Sequence, residues 1–309
     1  MNNNMKKPLS FGEILDQTFR IVKTNFGSLF MISFLVMAPI LIIQSIMLAL
    51  SGRDLFSSID PNESFFDQIL NDPYVQGYEL GYAAGDLFQE SLILLSSLLV
   101  IFATPLIAGA TVWGGVKHAR DGESFMAKDM LKKASKRYWP LLGGTFLLGL
   151  IIFGIMFAFF MFVFLTLLVM IPLQPIAGIP ILILLIIGFI LGAGLLFTRW
   201  SLYLPATLFE RVAPGLAKSW RLTKRQTWKF FGMFIVLAII IGIFSSIFEL
   251  LLGWLGDSVL YQLLYNFLTM ITSIIFTVGY SVMYFDARVR QEATDLKDMI
   301  DEYDVTERP

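Results

Sequence analysis

Six stretches of apolar residues dominate the chain, at 27–50, 91–115, 141–172, 180–208, 230–254 and 263–285. A helix rising about 1.5 Å per residue needs about 20 such residues to cross the hydrocarbon core of a bilayer. Lipid offers a backbone N–H or C=O no partner, so each crossing has to be a helix that satisfies its own polar groups. A water-soluble core could not absorb these blocks. Of the 309 residues, 56% are hydrophobic and 15% charged, against about 45–50% and about 25% in soluble domains. The expected fold is therefore all-α: a polytopic membrane helix bundle of six transmembrane helices forming one integral membrane domain over 1–309. The first stretch follows a helix bearing Glu13, Asp16, Arg20 and Lys23, unlike a cleaved signal peptide, so it is expected to stay in the mature protein. Pro172, Pro175 and Pro180 predict a tight turn between the third and fourth spans, because proline cannot continue the hydrogen-bond ladder.

Charge placement sets the expected orientation. Of the 23 Lys and Arg residues, 22 fall in four regions: the segment before the first span, the loop 116–140, the region 199–229 and the tail 286–309. Basic residues mark the cytoplasmic side, and six spans put all four regions there, with both termini inside. The loop 51–90 carries only Arg53 against eight acidic residues and is expected outside. Within it, Gly77, Gly81 and Gly85 fit either a smooth helix face or a flexible loop, and Asn62-Glu63-Ser64 matches a glycosylation triplet that is frequent by chance.

Amphipathic segments precede three of the spans. Ser10 and Glu13 form a capping-box pattern, and Phe11, Ile14, Leu15, Thr18, Phe19, Val22 and Phe26 follow at helical spacing. At 124–138, Met130, Leu131, Ala134 and Tyr138 oppose Lys128, Lys132, Lys136 and Arg137. At 214–228, Leu216, Ala217, Trp220 and Trp228 oppose Lys218, Arg221, Lys224 and Arg225. Such helices lie flat at a membrane interface. The expected partners are the lipid bilayer and its anionic headgroups, with Lys132, Lys136, Arg137, Arg221, Lys224 and Arg225 as contacts and any protein partner unassigned. Three units, each an amphipathic helix followed by two spans, would make an internal repeat. Any six-span protein with basic inner loops would give the same pattern.

Catalytic chemistry finds little footing. There are no cysteines and one histidine, His118, so thiol catalysis and Cys-ligated zinc are excluded and a histidine metal cluster lacks ligands. No phosphate-binding Gly-Lys-Ser/Thr motif occurs. No cofactor and no nucleic-acid partner are expected. Arg199 and Glu249 lie within spans, but each sits 19 residues, about 28 Å, from the far end of its helix, at an interface where it can snorkel. Arg199, Glu210, Asp286 and Arg288 share the inner boundary. Charges near hydrocarbon are costly unless paired or hydrated, so Arg199 is expected to meet Glu210 or Asp286, the alternative being that each is separately hydrated at the headgroups. The tail carries eight acids and four bases and reads either as a solvated exit helix or as one docked on the basic inner loops.

The segment from Arg199-Trp200-Ser201-Leu202-Tyr203 to Phe209-Glu210, the following Lys218-Ser219-Trp220-Arg221-Leu222-Thr223, the opening Leu9-Ser10-Phe11-Gly12-Glu13 and the tail resemble the membrane domain of glycerophosphoryl diester phosphodiesterase. The resemblance implies a bacterial plasma membrane protein with a multi-span fold. It does not imply phosphodiesterase activity, since that chemistry belongs to a separate barrel rich in histidines and metal-binding acids. The expected function is a non-enzymatic scaffold or an accessory to an export or envelope-stress system. The alternatives are a small-molecule or lipid transporter and, third, a lipid-modifying enzyme at the inner leaflet.

Overall fold

The computed structural model describes residues 8–50, 53–56, 84–117, 122–170, 175–210, 213–256 and 258–306. Among them every regular element is helical: α1 Phe11–Leu50, α2 Ala84–Ala110, α3 Ala127–Ser135, α4 Tyr138–Leu165, α5 Pro175–Trp200, α6 Tyr203–Phe209, α7 Leu216–Thr223, α8 Thr227–Leu252 and α9 Val259–Thr306. Short π segments, Thr111–Val116 and Thr166–Met170, extend α2 and α4.

By length and composition five helices can cross a membrane: Phe11–Leu50, Tyr138–Leu168, Gly178–Phe209, Thr227–Leu255 and Val259–Ala293. Their apolar side chains point outward. On α4 Phe146 and Phe153 are 71% and 70% exposed, and on α5 Leu184 is 70% exposed, while α4 buries only Leu141 and Gly144. Each Å² of such surface costs about 25 cal/mol in water, so a continuous coat of Phe, Leu and Ile requires lipid. The expected second span, 91–115, lies on α2 and its π extension. Its described apolar stretch, Ser97–Trp113, is shorter than the other five. Of the three prolines of the expected turn, two lie within α5. α5 starts at Pro175 and contains Pro180. Pro175 fills the first helical position, where the missing N–H would have no partner in any case, and Pro180 removes only one bond near that end. Pro172, His118, Asn62, Gly77 and Gly81 lie outside the described residues.

The amphipathic segment and the first span are one helix, bent at Asn25 (φ −119°, ψ 19°). Two successive side chains cause the bend by bonding back to carbonyls four residues earlier, Thr24 Oγ1 to Arg20 O at 2.7 Å and Asn25 Nδ2 to Ile21 O at 3.2 Å. Arg137, immediately before α4, adopts almost the same backbone angles (φ −120°, ψ 20°). In two of the three expected units the same backbone angles therefore stand between the amphipathic helix and the helix that follows it. The capping box forms as expected: Ser10 N–H donates to Glu13 Oε2 at 2.6 Å, and Glu13 N–H to Ser10 Oγ at 3.4 Å. The buried stripe of α1 is Ile14, Gln17, Thr18 and Ile21, with Phe11, Phe19 and Phe26 more than a third exposed.

The chain forms two compact units. One comprises Asp16–Ser135 and Val236–Gly279. Here α3 packs on α2 through Ala110, Ala127, Met130 and Ala134 around Ile32 of α1. Phe30 meets Phe267 edge-on at 5.4 Å. The first N–H groups of α9 are capped by the Asp54 and Leu55 carbonyls at 3.0 and 3.3 Å, satisfying donors that no helix can satisfy internally. The other unit comprises Met1–Leu15, Lys136–Ile235 and Tyr280–Pro309, and it holds the site.

Candidate functional site

The site begins with a broken helix. α5 stops at Trp200 and α6 starts at Tyr203, which leaves carbonyls at the end of α5 without helical partners. Hydroxyls fill them. Ser201 Oγ donates to Thr198 O at 2.8 Å, Ser219 Oγ and Thr223 Oγ1 donate to Arg199 O at 2.8 and 3.3 Å, and Tyr280 OH donates to Ser201 O at 2.6 Å. The buried face of α7 is Ser219, Leu222 and Thr223, because the hydroxyls are needed against Arg199 O, and the apolar residues Leu216, Ala217 and Trp220 are left outside it. Gly215 makes the chain reversal before α7 with φ +75°. Tyr203 OH and Thr145 Oγ1 hydrogen-bond at 2.9 Å, tying α6 to α4.

With α7 fixed beneath the end of α5, a pocket of about 470 Å³ opens between α5, α7 and the start of α8. It is lined by Gly192, Leu195, Leu196, Arg199, Trp220 and the run Lys224–Lys229. Arg199, Lys224, Arg225 and Lys229 supply four cations, and among the described residues no acidic side chain lines it. The Arg199 guanidinium lies 4.7 Å over the Trp220 ring, a cation–π contact worth roughly 0.5–2 kcal/mol. Gln226 Oε1 is buried without a hydrogen-bond partner, which is costly for an acceptor. Trp228 is 69% exposed at the rim.

Behind the pocket Lys229 joins a charged lock. The Asp286 side chain is fully buried. Its Oδ1 accepts the Leu9 N–H at 2.7 Å, and its Oδ2 accepts from Lys229 Nζ at 2.9 Å and Arg290 Nε at 3.1 Å. The same two cations also donate to Leu9 O, at 2.7 and 2.6 Å. Three parts of the chain, the residues before α1, the start of α8 and the middle of α9, thus converge on one carboxylate.

The expected pairing of Arg199 with Glu210 or Asp286 does not form. Glu210 pairs with Lys218 at 2.8 Å and Arg288 with Glu292 at 2.8 Å. Each acid has a nearer cation, and Arg199 rests on an indole. Lys132, Lys136, Arg221, Lys224 and Arg225 are exposed and, among the described residues, form no ion pair. Arg137 is instead half-buried, its Nη1 donating to Leu208 O at 3.0 Å. Leu9, Gln226 and Lys229 went unread as site residues. Lys229 lies 57 positions from Asp286 and Leu9 lies 277, separations that no local pattern signals. Among the described residues no His, Asp or Glu group is arranged to hold a metal ion.

No curated protein and no solved structure matches the chain. A family model matches residues 83–288, a stretch containing the whole pocket, Lys229 and Asp286. On that match the chain belongs to the family described as Domain of unknown function (DUF7847).

Proposed function

We propose that the chain is a non-enzymatic, six-span protein of the plasma membrane, with both termini in the cytoplasm, that acts as a scaffold or accessory by holding anionic lipid headgroups on a basic inner face. The observation that carries this reading is the pocket with four cations and, among the described residues, no acid. The exposed Lys132, Lys136 and Arg221 outside the pocket support it. Each cation near an anionic surface contributes about 1 kcal/mol. The exposed Trp139 and Trp228, at the starts of α4 and α8, suit the headgroup level. The resemblance to the phosphodiesterase membrane domain fits the same location. The sixth crossing in this reading is α2 with its π extension. The transporter alternative draws on the broken α5–α6 helix, a device found at substrate sites. Here, however, the Thr198, Arg199 and Ser201 carbonyls already carry hydroxyl donors.

Thermal unfolding of the full chain in micelles tests the reading. Phosphatidylglycerol should stabilise it more than phosphatidylcholine, and high salt should shrink the difference by screening. The combined variant Lys132→Gln, Lys136→Gln, Arg221→Gln should lose part of that gain. Equal stabilisation by both lipids would refute the proposal.

A further inference from the structure

We infer that the pocket binds one anionic phospholipid, its phosphate among Arg199, Lys224 and Arg225 and one acyl chain along the Gly188–Gly192 face of α5. This deepens the reading above and rests on it. Three of the four lining cations are not engaged by an acid among the described residues, while Lys229 is committed to Asp286. A phosphodiester suits that group, since guanidinium and ammonium donors form short, charge-assisted bonds to phosphate oxygens. Trp220 and Trp228 place amphipathic rings at the headgroup level.

The apolar end of the pocket specifies a chain. Gly192, Leu195 and Leu196 line it, and Gly188 lies one turn further along the same helical face. A Cβ built at Gly188 or at Gly192 meets nothing within 4 Å. These two exposed glycines therefore leave that side of α5 open beside the cations, so that an acyl chain can lie against the helix. Free phosphate would use the cations and ignore this face.

The test is lipid retention. The full chain is reconstituted in nanodiscs of mixed phosphatidylglycerol and phosphatidylcholine, re-extracted in mild detergent and weighed by native mass spectrometry. The wild type should keep one phosphatidylglycerol. Gly192→Phe, which covers that open face without altering charge, should retain about tenfold less, as should Arg199→Gln combined with Lys224→Gln; tenfold corresponds to about 1.4 kcal/mol. Gly192→Phe should unfold at the wild-type temperature. If it does not, Gly192→Leu and the double charge variant decide the matter. Unchanged retention in the variants, or equal retention of phosphatidylcholine, overturns the inference. So does complete displacement by millimolar inorganic phosphate, which would identify a free-phosphate site. The salt-sensitive stabilisation by phosphatidylglycerol micelles should persist in Gly192→Phe. Its absence from the wild type would count against the broader reading.

Discussion

Asp286→Ala should destabilise the folded chain by about 3 kcal/mol, the lower end of the range for breaking a buried ion pair. The lower end applies because Lys229 and Arg290 keep 22% and 30% side-chain exposure and can recover some hydration once the carboxylate is gone. Leu9 N–H cannot, since Leu9 is 5% exposed. Asp286→Asn retains an acceptor for that N–H and should lose less. Denaturant unfolding in micelles measures the loss. Amide exchange at Leu9 and Ile14 should also accelerate, because this one carboxylate fastens the segment before α1. A double-mutant cycle with Lys229→Met isolates the pair. Strictly additive losses would mean that Asp286 and Lys229 do not interact as described.

Gly215→Ala should have a comparable effect, at least about 3 kcal/mol, for reasons of space and backbone. With φ +75°, any L side chain is strained by roughly 1–2 kcal/mol. A Cβ there would also overlap Thr207 Oγ1 and the Tyr203 carbonyl, 2.5 Å from the latter. Neither can yield cheaply, since Tyr203 O accepts from Thr207 Oγ1 within α6. The turn would have to open, carrying Ser219 and Thr223 away from Arg199 O and dismantling the pocket floor. Gly242→Ala is the control. It sits mid-helix in α8, where a Cβ meets nothing within 4 Å, and it should be neutral or slightly stabilising. Equal unfolding temperatures for the two variants would contradict the geometry assigned to the elbow.

What the sequence made legible followed from local periodicity and composition. The apolar blocks announced long helices, the Ser10–Glu13 spacing announced its own cap, and the lysines of α3 fell on the exposed side opposite Met130 and Ala134. The buried face of α7 was not legible because hydropathy ranks Ser219 and Thr223 as solvent-facing. Their burial makes sense only once Arg199 O, twenty positions from Ser219, is known to need donors. The Arg199 pairing failed for a related reason. Charge counting assigns cations to acids but overlooks an indole face, and Trp220 reads from the sequence only as part of the apolar side of an interfacial helix. The lock at Asp286 depends on three remote segments, so its participants could be named as charged residues but not matched to one another.

The most direct test of the account is the number of crossings. The chain has no cysteine, so single introduced cysteines report cleanly on sidedness. Asn3→Cys, Ser135→Cys and a cysteine replacing Thr306 should react with a membrane-impermeant maleimide only after permeabilisation, while Ser58→Cys should react in intact cells. With the five long helices crossing, that pattern requires a sixth crossing between positions 58 and 135, by α2 and its π extension, and puts the basic pocket against the anionic inner leaflet. Labelling of Asn3→Cys and the Thr306 variant from opposite sides would mean an odd number of crossings. Labelling of Ser135→Cys in intact cells would place the basic face outside. Either result would contradict the account.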